Sequence, residues 1–186
     1  LYKWLTSKGY EVFLTKEPGG TAVGRKIRSI LLEGDEEMNK YTELFLYLAD
    51  RAENLTKNVE PNLKKDKIVI SDRHFDSTVA YQMAGRGIKK EEIQMFKELK
   101  LFSLMEPDVT FLLDVDPEIV KDRIMEPDRI ERENIDFHHK VRSAYLDIAR
   151  NASDRIILID ARGNIEKIHE EVKKEILNLL GEDLNE

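Results

Sequence analysis

Short apolar runs alternate with amphipathic helical stretches along the whole chain, and this alternation narrows the fold more than any other feature. Residues 10–15, 67–71, 109–115 and 156–160 are rich in β-branched and aromatic side chains and read as strands. Residues 22–33, 41–58, 75–84, 90–105, 131–150 and 164–180 read as helices. In the second of these, Tyr41, Leu44, Phe45, Leu48, Ala52 and Leu55 form an apolar stripe at helical spacing. Pro117 opens a further helix at a favoured position, and residues 126–130, with Pro127, read as a surface loop. The polar tail from Gly181 reads as frayed. Strands alternating with helices predict an α/β fold, a parallel sheet with helices on both faces, in one domain spanning residues 1–186. Ligands in such folds bind beyond the carboxyl ends of the strands. The segments after Thr15, Ser71, Val115 and Asp160 are therefore where a site is expected.

Composition excludes several function classes. The net charge of −7 argues against a general nucleic-acid binder, because a phosphate backbone calls for a basic surface. The chain has no cysteine, so it has no disulfide frame, thiolate metal site or cysteine nucleophile. No apolar run approaches the roughly 20 residues of a membrane span, no signal peptide is visible, and the expected compartment is the cytoplasm. His138 and His139 are adjacent and lack a partner at zinc-helix spacing, so no metal ligand set can be named.

The most informative stretch runs from Ser71 to Gln82. Its strand ends directly in Asp72-Arg73. An arginine fork suits phosphate, and the neighbouring aspartate can hold magnesium through water or accept a hydrogen bond from a phosphate. The alternative is a surface ion pair capping a helix. At about 100° per residue, Arg51 falls only about 60° from the centre of the apolar stripe. There it needs a partner or a ligand, unless its head snorkels to water.

Asp72-Arg73 followed by the ring of His74, then Ser77-Thr78 and Tyr81-Gln82, resembles the signature of the thymidylate kinases. Thr15-Lys16-Glu17-Pro18-Gly19-Gly20-Thr21 resembles that family too, as does Thr42-Glu43 followed by Tyr47-Leu48-Ala49-Asp50-Arg51. The resemblance runs in order from about Trp4 to Leu180. It implies a P-loop kinase fold and transfer of the terminal phosphate of ATP to dTMP, with Mg2+ as cofactor. It also implies a homodimer, for which the exposed side of the 90–105 helix, with Met95 and Met105, is a candidate face.

By the same resemblance, Tyr47 stacks on thymine, at a place where the family more often has phenylalanine. Arg51 reads the base's exocyclic oxygen. Arg73 and Arg28 grip the acceptor phosphate, although Arg28 also reads as a solvated helix charge. Ser77 belongs to the signature, and Thr78 and Gln82 match positions near the base edge. Tyr81 crowds the sugar 2′ position, with a core aromatic as the alternative. Glu17 helps shape the acceptor pocket, Gly19 and Gly20 read as turn residues, and Asp72 organises phosphate and metal. Residues 121–132 occupy the place of a mobile lid, here short and without a basic residue at its tip. Its best candidates to neutralise the transferred phosphate are Arg123 and Arg129, with Arg132 third. Arg162, after the last strand, either stacks on adenine or is an exposed loop arginine.

A kinase of this kind needs a Gly-rich loop ending in Lys-Ser/Thr to cradle the donor phosphates. The sequence has none, and it opens at Leu1 inside a helix that stops at Gly9. In the family that loop follows a central strand just before this helix. Residues before Leu1 are therefore expected. Without that strand its neighbours would be left unpaired, and a chain truly beginning at Leu1 would fold poorly and lack kinase activity. The other readings are a kinase for another nucleoside monophosphate or deoxynucleoside, and a non-catalytic nucleotide-binding fragment.

Overall fold

The structure, a computed structural model, describes residues 1–34, 37–103, 106–121 and 124–181. Its four strands form two parallel pairs. In the first, β1 (Val12–Lys16) lies beside β2 (Ile68–Asp72), with Val12 opposite Ile68 and Lys16 opposite Asp72. In the second, β3 (Thr110–Asp114) lies beside β4 (Ile156–Asp160), with Asp114 opposite Asp160. Among the described residues β2 and β3 do not pair, so the expected sheet is present as two halves.

The helices are α1 (Tyr2–Ser7), α2 (Ala22–Leu32), α3 (Lys40–Asn54), α4 (Glu60–Leu63), α5 (Phe75–Thr78), α6 (Lys90–Lys97), α7 (Lys100–Ser103), α8 (Pro117–Lys121), α9 (Ile135–Asn151) and α10 (Ile165–Leu180). A π-helical segment, Leu55–Val59, joins α3 to α4, and another, Val79–Gly85, continues α5. Two expected boundaries moved. The helix expected over 90–105 breaks after Lys97 into α6 and α7. The helix expected from 131 starts at Ile135, because Asn134 caps it by accepting from the Phe137 N–H at 2.8 Å. The residues before that cap form turns in which Asp128 Oδ1 accepts from the Ile130 and Glu131 amides.

Leu44, Leu48 and Leu55 of the predicted stripe are buried with Phe75, Ile93 and Phe102 in the main core. Burying one such side chain contributes about 1.5–3 kcal/mol. Phe45, from the same stripe, is 54% exposed. The flank of α3 beside this stripe is buried too, but with polar residues: Glu43, Asp50, Arg51 and Asn54. This second face positions the site. No helix among the described residues is long and apolar enough to cross a membrane.

Candidate active site

The turn after β1 is clamped by α3. The Glu17–Pro18 bond is cis. The Glu17 amide donates to the Asp72 carbonyl at 2.9 Å, carrying the β1–β2 pairing one step further. The Glu17 carboxylate accepts from Arg51 Nε at 2.7 Å and from Asn54 Nδ2 at 3.0 Å. Thr15 Oγ1 donates to Asn54 Oδ1, and the Gly19 amide donates to Asp50 Oδ1. Gly19 has φ +109°, which favours glycine. At Gly20 a Cβ would lie 2.5 Å from both Asn54 Oδ1 and Thr15 Oγ1, so the turn passes the clamp only without a side chain. Arg28 reaches across from α2 and donates to the Pro18 carbonyl at 3.1 Å.

Arg51 is 2% exposed and is the partnered arginine that its place on the helix required. Besides Glu17 it donates from Nη1 to Thr78 Oγ1 at 2.6 Å and from Nη2 to the His74 carbonyl at 2.9 Å. Among the described residues, two of its five N–H groups have no partner. Arg73 has φ +74°, rare for a residue with a side chain. Such a conformation costs roughly 1–3 kcal/mol and tends to occur at functional sites. It holds the Arg73 guanidinium 4.9 Å from the centre of the Tyr81 ring. Tyr145 shares a 2.7 Å hydrogen bond with Ser77. The Asp72 carboxylate stands exposed at the end of β2.

Most of these side chains border one cavity at the ends of β1 and β2. Glu17, Arg28, Tyr47 and Arg51 line one side, and Asp72, Arg73, Ser77, Thr78, Tyr81 and Gln82 the other. A second cavity, bounded by residues 112–115, Lys121 and Arg142, shares Arg73, Tyr81, Glu131 and His138 with the first. Burial pushes the Tyr47 phenol above its ordinary range. It pushes the Asp50 carboxyl up to about 6 despite the Gly19 amide. It pushes the His74 imidazole down to about 4, helped by the Arg51 charge.

Two expected site residues lie elsewhere. Arg129 is turned away from the cavity, donating to the Leu31 carbonyl at 2.6 Å and to Glu43 at 2.7 Å. Arg162 is exposed and paired with Asp160. Arg123 lies outside the described residues, as does Met105 of the candidate dimer face. The sequence alone assigns no role to Asp50, Asn54, Glu43 or Arg86, although Glu43 and Asp50 fall within the family motif. Glu43, Tyr47, Asp50, Arg51 and Asn54 share one face of α3, but polar residues at that spacing ordinarily face water, so the pattern alone does not mark them as buried.

Among the described residues no group of three or more histidines or carboxylates could hold a metal ion. Magnesium is ordinarily held by one or two carboxylates together with substrate phosphates. The exposed Asp72 at the cavity's edge fits that manner of binding.

Comparison with known proteins fits this geometry. The family model described as thymidylate kinase matches residues 1–172. The chain is 42% identical to a thymidylate kinase of Desulforapulum autotrophicum over 97% of its own length and 84% of that protein's. It is 38% identical to one from Halothermothrix orenii, over 97% and 88% respectively. The crystal structure of thymidylate kinase from Ehrlichia chaffeensis superposes with a TM-score of 0.76 at 30% identity, covering 94% of this chain and 88% of that one. The chain therefore belongs to the thymidylate kinase family.

Proposed function

We propose that the chain transfers the terminal phosphate of ATP to dTMP, giving dTDP, and that the first cavity is the acceptor site. The observation that carries this reading is the convergence of Arg28, Arg51 and Arg73 with Tyr47 on one cavity at the strand ends. Arg73 and Arg28 hold the acceptor phosphate through paired N–H donors. Tyr47 stacks on the base, Tyr81 crowds the sugar 2′ position, and Arg51 with Thr78 and Gln82 meets the base edge. The acceptor is already an ionised phosphate, so no side-chain base is needed. Catalysis then rests on positioning and charge neutralisation. Asp72 would hold Mg2+ together with the phosphates. When bound, the ion supplies charge neutralisation at the donor phosphates. Arg123 and Arg162 are assigned to the ATP side, and Arg123 and Arg129 to the lid. The exposed Phe45 and Met95 support a homodimer packed through α3 and α6.

A substrate panel tests the assignment. dTMP should be phosphorylated faster than dUMP, dCMP and dGMP in the presence of ATP and magnesium. Arg73→Met should lower kcat/KM for dTMP about 100-fold, the loss of one charge-assisted contact to phosphate in a desolvated site. A clear preference for another nucleotide, or an unimpaired Arg73→Met protein, defeats the reading.

A further inference from the structure

Glu43 sits in the first turn of α3, 1% exposed, and its carboxylate is surrounded by donors. Oε1 accepts from Gln82 Nε2 at 3.1 Å and from Arg86 Nε at 3.0 Å. Oε2 accepts from Arg86 Nη2 at 3.0 Å and from Arg129 Nη2 at 2.7 Å. Burial alone would raise its pKa, but the bonds from Arg86 and Arg129 outweigh burial and lower it. Glu43 is therefore ionised at neutral pH and can only accept.

That settles which way the neighbouring amide faces. The two ends of a glutamine amide have the same shape, so its orientation follows from its hydrogen-bond partners. Facing an acceptor-only carboxylate, Gln82 must present its NH2 group, which leaves its carbonyl oxygen for the cavity that it borders. No described residue donates to that oxygen. Thr78 is fixed in the complementary sense. Its oxygen accepts from Arg51 Nη1, which cannot accept in return, so the Thr78 hydroxyl keeps its proton to donate. Where Gln82, Thr78 and Arg51 meet the cavity, the wall thus offers an acceptor, Gln82 Oε1, beside donors, the Thr78 O–H and the remaining N–H groups of Arg51.

We propose that Glu43 is a positioning residue for base choice: it turns the Gln82 carbonyl toward the acceptor cavity, where it accepts from the ring N–H of a pyrimidine imide and rejects a 4-aminopyrimidine. The inference rests on the acceptor-site reading above. An imide edge presents two carbonyl acceptors flanking an N–H donor, which complements this wall. Cytosine presents an amino donor beside a bare ring nitrogen, and that lone pair would face the Gln82 oxygen. A buried site built to pair one pattern strongly disfavours the ligand that leaves its groups unpaired.

Calorimetric titration of the full chain with dTMP, dUMP and dCMP tests this. The unaltered protein should bind dTMP at least about 100-fold more tightly than dCMP, with dUMP also favoured over dCMP, because the imide is shared. In Glu43→Gln the partner can donate or accept, and Gln82 is free to turn over. The ratio of dTMP to dCMP affinity should fall about tenfold, mostly through weaker dTMP binding. If Glu43→Gln weakens dTMP and dCMP in equal proportion, Glu43 is merely structural and the proposal is overturned. If Glu43→Gln does not fold, Glu43→Asp carries the same test, since it keeps the charge for Arg86 and Arg129 but draws back from Gln82. If the unaltered protein shows no preference for dTMP, the acceptor-site reading fails first and takes this inference with it.

Discussion

His74 and Asp50 both feel the charge of Arg51, and burial moves their titrations in opposite directions. His74, at about 4, takes up its proton in the unfolded chain from about pH 6.5 downward but in the folded protein only near pH 4. It therefore costs stability progressively as pH falls through that window. Asp50, at about 6, protonates earlier in the folded protein than in the unfolded chain. Its cost is present above pH 6 and is relieved as pH falls toward 4. Each effect is on the order of 2–3 kcal/mol, and between pH 6 and 4 they largely cancel. Urea midpoints at pH 7, 5.5 and 4.5 should separate them. Relative to the unaltered protein, His74→Phe should gain stability on acidification and Asp50→Asn should lose it. Two variants that track the parent across the range would show that neither group titrates as described. Arg51 could be picked out in the sequence because a charge on a core stripe needs a partner. Asp50 and Asn54 could not, because polar residues on a helix ordinarily face water. What buries them is the β1 turn, and Glu17 is 34 residues from the Arg51 that it pairs with.

The same turn shows how one element shapes another. Gly20 passes so close to Asn54 and Thr15 that an added methyl group would displace them from their hydrogen bonds. Gly20→Ala should cost about 1–3 kcal/mol, and each of these should lower the melting temperature by roughly 2–4 °C. The affinity for dTMP should fall as well, because Glu17 and Arg28 are held by this turn. Gly163→Ala is the control: nothing lies within 4 Å of its Cβ position, and scanning calorimetry should show little change. If Gly20→Ala melts with the parent, the clamp does not constrain the turn. The composition of the turn was plain in the sequence, but the reason for each glycine was not, since it depends on what α3 places opposite. The late start of α9 has a similar origin, in which Asn134 captures the Phe137 amide and the chain before it folds into turns around Asp128.

At the scale of the whole molecule, strand positions were legible within a residue or two, because β-branched runs bounded by turns have little else to become. Which strands touch was less so: pairing depends on edges, and β2 and β3 each pair on one side only among the described residues. The outer surface carries the last expectation. Tyr41 and Phe45 of α3 and Met95 and Leu99 at α6 are exposed, and Phe45 meets Phe96 edge-on at 5.9 Å. The Tyr41 hydroxyl donates to Glu92 at 3.1 Å, tying the two helices together. Single exposed apolar side chains are ordinary, but a contiguous group on two joined helices suits a two-fold interface, in which each subunit presents the same patch. Sedimentation equilibrium at micromolar concentration should give twice the chain mass. Phe45→Glu combined with Met95→Glu, exposed at 54% and 58% in the single chain, should give the chain mass with an unchanged circular dichroism spectrum. A dimer that survives both charges must pack through another face, and a parent that sediments as a monomer removes the homodimer from the reading.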